Sequence, residues 1–270
     1  MTTLQKAIKY LAVAFAIFLV ASIIGGALGA VGFLGGIFSN DAILAEAKVY
    51  RVENPVHSLK VSINAADFSI KEAEAFSVES NLKYLSVSES NGVLTIADEK
   101  IFTGTYSGAA LTLFIPSGVT FDNVSITTGA AKLTADALSA KTVKLELGAG
   151  DVNFHSLNAA DKAEIEGGAG RITIAGGALN DLSLEMGVGE LNLTAALLGS
   201  SDLDFGVGQS NLTLLGSKDD YHVDIEKAIG SITVDGKPAA DFAGSETGDN
   251  RVDIEGGIGA IHLNFRDTAA

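Results

Sequence analysis

Six carboxylates recur at matching places along this chain of 270 residues: Glu146, Glu166, Glu185, Asp204, Glu226 and Glu255. Each belongs to a short phrase in which apolar and polar residues alternate before a glycine or a pair of small residues. If the phrases stack as strands, the carboxylates form one column at about 4.8 Å spacing. Oxygen donors in a row suit hard divalent cations such as Ca2+ or Mg2+. A neighbouring column holds Glu164, Asp202, Asp224 and Asp253 and is opened by Lys144. Adjacent like charges at that spacing repel by roughly 0.9 kcal/mol even at the dielectric constant of water, so the strip draws counterions. Two readings follow. One is a metal-ligating ladder, with Ca2+ as the candidate ion, that stiffens a rod. The other is a solvated acidic face that keeps strand surfaces in solution, and it is preferred because it needs no ligand. No other cofactor is expected.

Other residue types capable of chemistry fall in patterns that do not support it. Gly167-Gly168-Ala169-Gly170-Arg171-Ile172 and Gly256-Gly257-Ile258-Gly259-Ala260-Ile261 approach a calcium-binding nonapeptide, but Ile172 and Ile261 stand where that motif needs aspartate. A dinucleotide-binding loop fails for want of a third glycine and a following helix. His57, His155, His222 and His262 have no metal-ligand spacing, and no serine sits in a nucleophile elbow. A second outward column, Thr134, Asn153, Thr173, Asn192, Thr213, Thr233 and His262, offers hydroxyls and amides that can bond along a stack. It could also touch a glycan, although tryptophan is absent and tyrosines number only 5. The chain is therefore expected to be no enzyme.

The elements that must position these columns are legible from periodicity. The phrase occurs seven times between about residues 126 and 263, at steps of about 19, 20, 19, 19, 22 and 29 residues. A unit near 20 residues that cannot bury its own apolar face reads as a stacked solenoid. Period two assigns the sides: Val143, Leu145 and Leu147 face inward while Lys144 and Glu146 face outward. Leu182, Leu184 and Met186 repeat that inward set. Each coil then offers two inward-facing strands, the second carrying pairs such as Val152 and Phe154 or Leu191 and Leu193. The G-x-G between the strands supplies a sharp corner and needs no ligand to explain it. Upstream, alternation at Lys60-Val61-Ser62-Ile63 and Asp67-Phe68-Ser69-Ile70 adds further strands, and Asn91-Gly92 marks a tight hairpin. Residues 235 to 250 are polar and broken and read as a loop bulging from the stack. The fold class is all-β: a single-stacked β-solenoid (β-helix) ectodomain behind one N-terminal transmembrane helix.

That helix is expected at 11–38, within a stretch from Leu11 to Asn40 where no residue is charged. The run exceeds the ~20 apolar residues needed to cross a bilayer. Lys6 and Lys9 precede it and no acid occurs before Asp41, which keeps the N-terminus in the cytoplasm and sends the rest outward. A cleaved signal peptide is the other reading, with Ala45-Glu46-Ala47 as a cleavage site, but the apolar run is long for one. The expected organisation is a cytoplasmic tail (1–10), a transmembrane anchor (11–38), a stalk (39–58), the solenoid (59–266) and a short tail (267–270). Of 18 basic residues only Lys6 and Lys9 precede the anchor, leaving 16 against 33 acids outside. Such a surface repels nucleic acid and favours cations or basic partners.

An N-terminal anchor, then the Ile115-Pro116-Ser117-Gly118 turn, then glycine-cornered coils resembles the bacterial putative adhesin family, a cell-surface β-solenoid domain of unknown function. The resemblance covers about residues 59 to 265. It implies a right-handed β-helical domain presented at the envelope and brings no active site with it. Coil 127–135 departs from the pattern with Ala131 in place of the second glycine, and the coil at 206 has an extra residue, Gln209 or Ser210, before Asn211. The expected function is a non-catalytic, envelope-anchored surface module, structural or adhesive and open to cation stiffening. Its location is the cell membrane as a single-pass protein, with an envelope protein or a glycan as partner. The alternative is a sensory or regulatory ectodomain that acts through a membrane partner in an envelope-stress response.

Overall fold

The computed structural model describes residues 44–98, 107–226, 229–239 and 248–267. The segment 11–38, expected as the anchor, lies outside them. Among the described residues no helix is long and apolar enough to cross a membrane. The strands are β1 (Leu44–Arg51), β2 (Ser58–Ile63), β3 (Asp67–Ala73), β4 (Ser77–Leu82), β5 (Leu85–Ser90), β6 (Val93–Asp98), β7 (Ala110–Pro116) and β8 (Phe121–Ile174). They continue as β9 (Ala178–Asn180), β10 (Leu182–Leu198), β11 (Ser200–Leu215), β12 (Tyr221–Glu226), β13 (Ile229–Val234), β14 (Lys237–Pro238), β15 (Asn250–Glu255) and β16 (Ile258–Arg266).

The regular section winds as read from the sequence. β8 runs unbroken through 54 residues and turns corners without losing its ladder. Its neighbours are parallel and in register: Leu184 opposes Ile165 on one side and Leu203 on the other. Inward positions are sealed, with Val143, Leu145, Leu184, Leu193 and Phe154 all at 1% exposure or less. Each coil has a third side that the two-strand reading omitted. Leu138 and Ala140, Leu157 and Ala159, then Leu179 and Leu197 line it, and β9 pairs with residues 196–198 there. Closing a prism with a third face buries the apolar residues that two strands would leave open.

The corners explain the glycines. At Gly148, Gly168, Gly187, Gly206 and Gly257 an added Cβ would meet the carbonyl oxygen of the glycine one coil below at less than 3.0 Å. The second corner glycine also has positive φ, +146° at Gly150 and +148° at Gly189, a region that L side chains rarely adopt. Ala131 is tolerated because the coil below it at 64–66 is a turn and not a matching corner, so its own φ is not forced positive.

Strand order departs from chain order at both ends. At the C-terminal end β15 and β16 lie directly on β11, with Leu203 opposite Ile254 and Leu212 opposite Leu263. β12 and β13 pair onto their far side. The coil latest in sequence is thus inserted beneath the one before it. Of the segment 235–250, read as a bulging loop, residues 240–247 lie outside the described residues, and β14 within it pairs with β13. At the other end β2 sits between β6 and β8, and β3 between β7 and β8. Antiparallel β4 and β5 then cover β7 and β6. The Asn91-Gly92 hairpin forms as expected, with φ of 52° and 76°. The stretch expected as a stalk instead contributes β1, which adds antiparallel to β4, with Tyr50 opposite Val78.

If the corner contact governs the stack, Gly189→Ala combines positive-φ strain with a backbone collision and should cost about 3 kcal/mol or more. Gly236→Ala, at φ +74° with open space around it, should cost only about 1–2 kcal/mol. Thermal melts of the two variants test this, and equal losses would contradict it.

Candidate functional site

Alternation along each strand points the acidic residues away from the prism, and register decides which of them meet. Glu166 opposes Glu185, Glu185 opposes Asp204, Asp204 opposes Glu255, and Glu255 opposes Glu226. Glu146 stands at the N-terminal end of the same outward face. Five of the six expected ladder positions are therefore tied into one column by pairing, with the last two exchanged relative to sequence order. In the second column Asp202 opposes Asp253 and Asp253 opposes Asp224, but Ser183 stands between Glu164 and Asp202 and interrupts it.

The strip is not uniform in charge. At its N-terminal part Lys144 contacts Glu146 at 3.0 Å and Glu164 at 3.8 Å, and Lys162 contacts Glu164 at 2.6 Å. The hydroxyl of Thr127 also donates to Glu146, at 3.1 Å. These contacts hold the Glu146 carboxyl below its ordinary range, chiefly through Lys144 and then Thr127. Lys162 does the same for Glu164. On the adjoining face Arg171 bridges Glu190 at 3.0 Å and Asp151 at 3.6 Å across successive coils.

Towards the C-terminal end compensation thins. Arg251 contacts Asp253 at 2.7 Å. Glu185, Asp202, Asp204, Asp224, Glu226 and Glu255 make no ion pair among the described residues. Asp204 lies on the exposed side of β11, where its carboxyl is partly desolvated. That desolvation, with the negative charge of Asp202 beside it, raises its pKa. No three His, Cys, Asp or Glu side chains among the described residues converge on a point that could hold a metal ion. The column is a row of separate carboxylates. What sequence reasoning missed is the internal counterions: Lys162 and Arg251 each stand two residues before a strip acid, a same-face spacing that could have revealed them.

The polar ladder forms with one register correction. Asn192 opposes Asn211 and Asn211 opposes His262, so Asn211 occupies the place expected for Thr213. Asn211 donates to Asn192 at 2.8 Å, and Thr233 and His262 approach to 2.8 Å. No extra residue bulges at 209–210. Gln209 opposes Glu190, and Ser210 takes the core position of Leu191 at 5% exposure. Ser201 is likewise fully buried, opposite Val252, and its hydroxyl lacks a partner. A shallow groove lined by Met186, Phe205, Val207, Ile229 and Ile258 follows the glycine corner, and among the described residues no titratable side chain lines it.

An all-β stack of parallel coils with an in-register acidic strip and small-residue corners defines a β-solenoid-like domain. The chain belongs to the family described as Toastrack DUF4097, whose model matches residues 52–263, and the resemblance read from the glycine-cornered coils holds. Among solved structures, a putative adhesin from Bacteroides fragilis is 11% identical, with 83% of this chain and 98% of that one covered at a TM-score of 0.46. A putative adhesin from Parabacteroides distasonis is 16% identical, with 84% and 98% covered at a TM-score of 0.44. A putative cell adhesion protein from Clostridium sporogenes is 14% identical, with 82% and 99% covered at a TM-score of 0.38. No curated protein matches the chain.

Raised by burial and by Asp202, the Asp204 carboxylate opposes folding once it ionises: the stability of its neutral form is present below the ordinary aspartate value and is lost as pH rises through the higher folded value. Asp204→Asn should therefore raise Tm at pH 7, and the gain should vanish in acid below the ordinary value of 3.8. Melts of both proteins across pH check this, and a gain that persists in acid would contradict it.

Proposed function

We propose that this chain is a non-catalytic envelope module, held at a membrane by residues 11–38 and acting by contact through its solenoid. The observation that carries the reading is the polarity of the stack. The first described strand, β1, lies in the antiparallel cap at one end, so a membrane segment preceding it would stand at that end. The opposite end, built from β12 and β13, would then point away from the bilayer. Stacked at about 4.8 Å per layer, the coils reach roughly 40 Å. That reach suits presentation of a surface more than enclosure of a substrate.

Two features support contact over catalysis. The charged groups run in strips along the coils, where acid–base work requires paired groups converging on one reacting atom. Membership in the Toastrack family, together with the adhesin descriptions of structurally similar proteins, fits an adhesive role. The acidic strip enters as a solvated face that repels anionic surfaces and draws cationic ones.

Cell fractionation with protease accessibility, paired with an attachment assay, tests this. The full chain should sediment with membranes and lose its C-terminal domain to protease added outside the cell, and its deletion should reduce attachment. A chain protected from external protease would overturn the topology. Unchanged attachment with altered envelope-stress signalling would favour a sensory ectodomain instead.

A further inference from the structure

We propose that the outer face formed by the stretches 190–194, 209–213 and 260–264 binds an uncharged polysaccharide. These stretches follow the glycine corner in three stacked coils and carry the polar ladder. Three observations converge on them. The first is where the charge goes. Before the corner, the same coils present Glu185, Asp202, Asp204, Asp253 and Glu255 outward. Past the corner they present Asn192, Asn211 and His262 in one register row and Thr194, Thr213 and Asn264 in the next. Glu190 is the only acid at the outward positions of these stretches, and Arg171 pairs with it at 3.0 Å. In a chain of net charge −15, a face of amides and hydroxyls admits a neutral partner, while the carboxylates around the corner turn anionic polymers away.

The second observation is hydrogen bonding. One row is held in place: Gln209 donates to Asn211 at 3.1 Å, Asn211 to Asn192 at 2.8 Å, and Asn192 to Glu190 at 2.9 Å. Every link points towards the carboxylate that Arg171 fixes, so the amide orientations are set, and each amide keeps a second N–H to give. The row beside it is free. Thr194 opposes Thr213 and Thr213 opposes Asn264, and among the described residues none of the three side chains makes a hydrogen bond. Layers about 4.8 Å apart thus offer groups that both donate and accept, which is what saccharide hydroxyls require. Because the held row is already ordered, a ligand loses little entropy in fixing it.

The third is the kind of side chain missing from the face. Among the described residues the large apolar side chains that are exposed, Val49, Val93, Val188, Leu198 and Ile229, all lie off it. A protein partner needs an apolar centre to its interface, and this face offers none. Its outward positions carry no aromatic ring either, so a sugar is held by hydrogen bonds without stacking. Single saccharide units then bind weakly, and affinity comes from a chain long enough to follow the rows across several coils. A polysaccharide supplies that length.

This inference rests on reading the chain as a contact module and names its partner. Its test is titration of the full-length chain with oligomers of glucose, mannose and N-acetylglucosamine, each as disaccharide and hexasaccharide, with the hexasaccharide of galacturonate as the charged counterpart. At least one neutral hexasaccharide should bind, at least about tenfold more tightly than its own disaccharide and than the galacturonate oligomer. Thr194→Val combined with Thr213→Val removes two hydroxyls and keeps the β-branched shape that suits a strand. It should weaken that binding by about tenfold with Tm unchanged. Asp202→Asn, on the acidic side of the same coil, should leave binding as it was. Absence of binding by all three neutral hexasaccharides overturns the proposal. So does equal binding of the galacturonate oligomer, or a folded threonine variant that binds as tightly as the parent. A loss at Asp202→Asn as large as that at the threonines moves the contact to the acidic side and overturns it as well. Whole-cell attachment is measured without these sugars, so failed titrations with attachment still lost on deletion strike this face alone and leave the broader contact reading standing.

Discussion

The close approach of backbone to backbone at the glycine corners is the constraint from which the rest of the structure follows. Where Gly148, Gly168, Gly187, Gly206 and Gly257 pass over the glycine carbonyls of the coil below, no room remains for a Cβ. Any shift of one coil against the next would drive side chains into carbonyl oxygens, so the corners fix register as well as shape. Fixed register then sorts every strand residue. Leucine, isoleucine and valine enter the prism, and glutamate and aspartate line up outside it. The acidic strip is thus a by-product of tight corners combined with period-two alternation.

The ends need a different solution, because an open prism exposes core and strand edges. At the N-terminal end antiparallel strands lie over β6 and β7, and Leu94, Ile96, Leu111 and Leu113 stay at 0% exposure. At the C-terminal end the chain inserts its last coil beneath the previous one. The outer coil is secured by Tyr221, whose hydroxyl donates to the carbonyl of Leu215 at 2.7 Å and whose ring packs 5.9 Å from Phe265. A capping box at Ser217, with Asp220 accepting from the Ser217 amide at 2.9 Å, fixes the turn that leads into it. Among the described residues this end is less covered and more acidic than the other. That asymmetry gives the stack a direction.

Much of this was legible in the residues. Alternation in Val143–Leu147 and Leu182–Met186 identified strand faces, and the repeated G-x-G identified corners, because both depend on local stereochemistry. The insertion of β15 and β16 was not legible: the phrases at 225 and 254 are near copies, and either satisfies its neighbour equally well along the chain. Pairing order is a long-range choice that a local pattern does not encode. The same holds for Ser210, whose inward place follows from its partner Leu191 and not from its own polarity. β1 escaped notice because Lys48 and Glu46 interrupt its apolar pattern, as suits a strand at an edge. Within the acidic strip the columns were foreseeable, while the thinning of counterions towards β12 depended on the final order of coils.

The absence of cysteine from the chain makes that order directly measurable. Parallel neighbours in register lie at a separation a disulfide can span, and residues two coils apart do not. Oxidation of the double variant Asp204→Cys, Glu255→Cys should form an intramolecular disulfide in high yield. The double variant Asp204→Cys, Glu226→Cys should remain reduced under the same conditions. Ready bridging of 204 to 226 with none between 204 and 255 would contradict the inserted coil and the stacking order built on it.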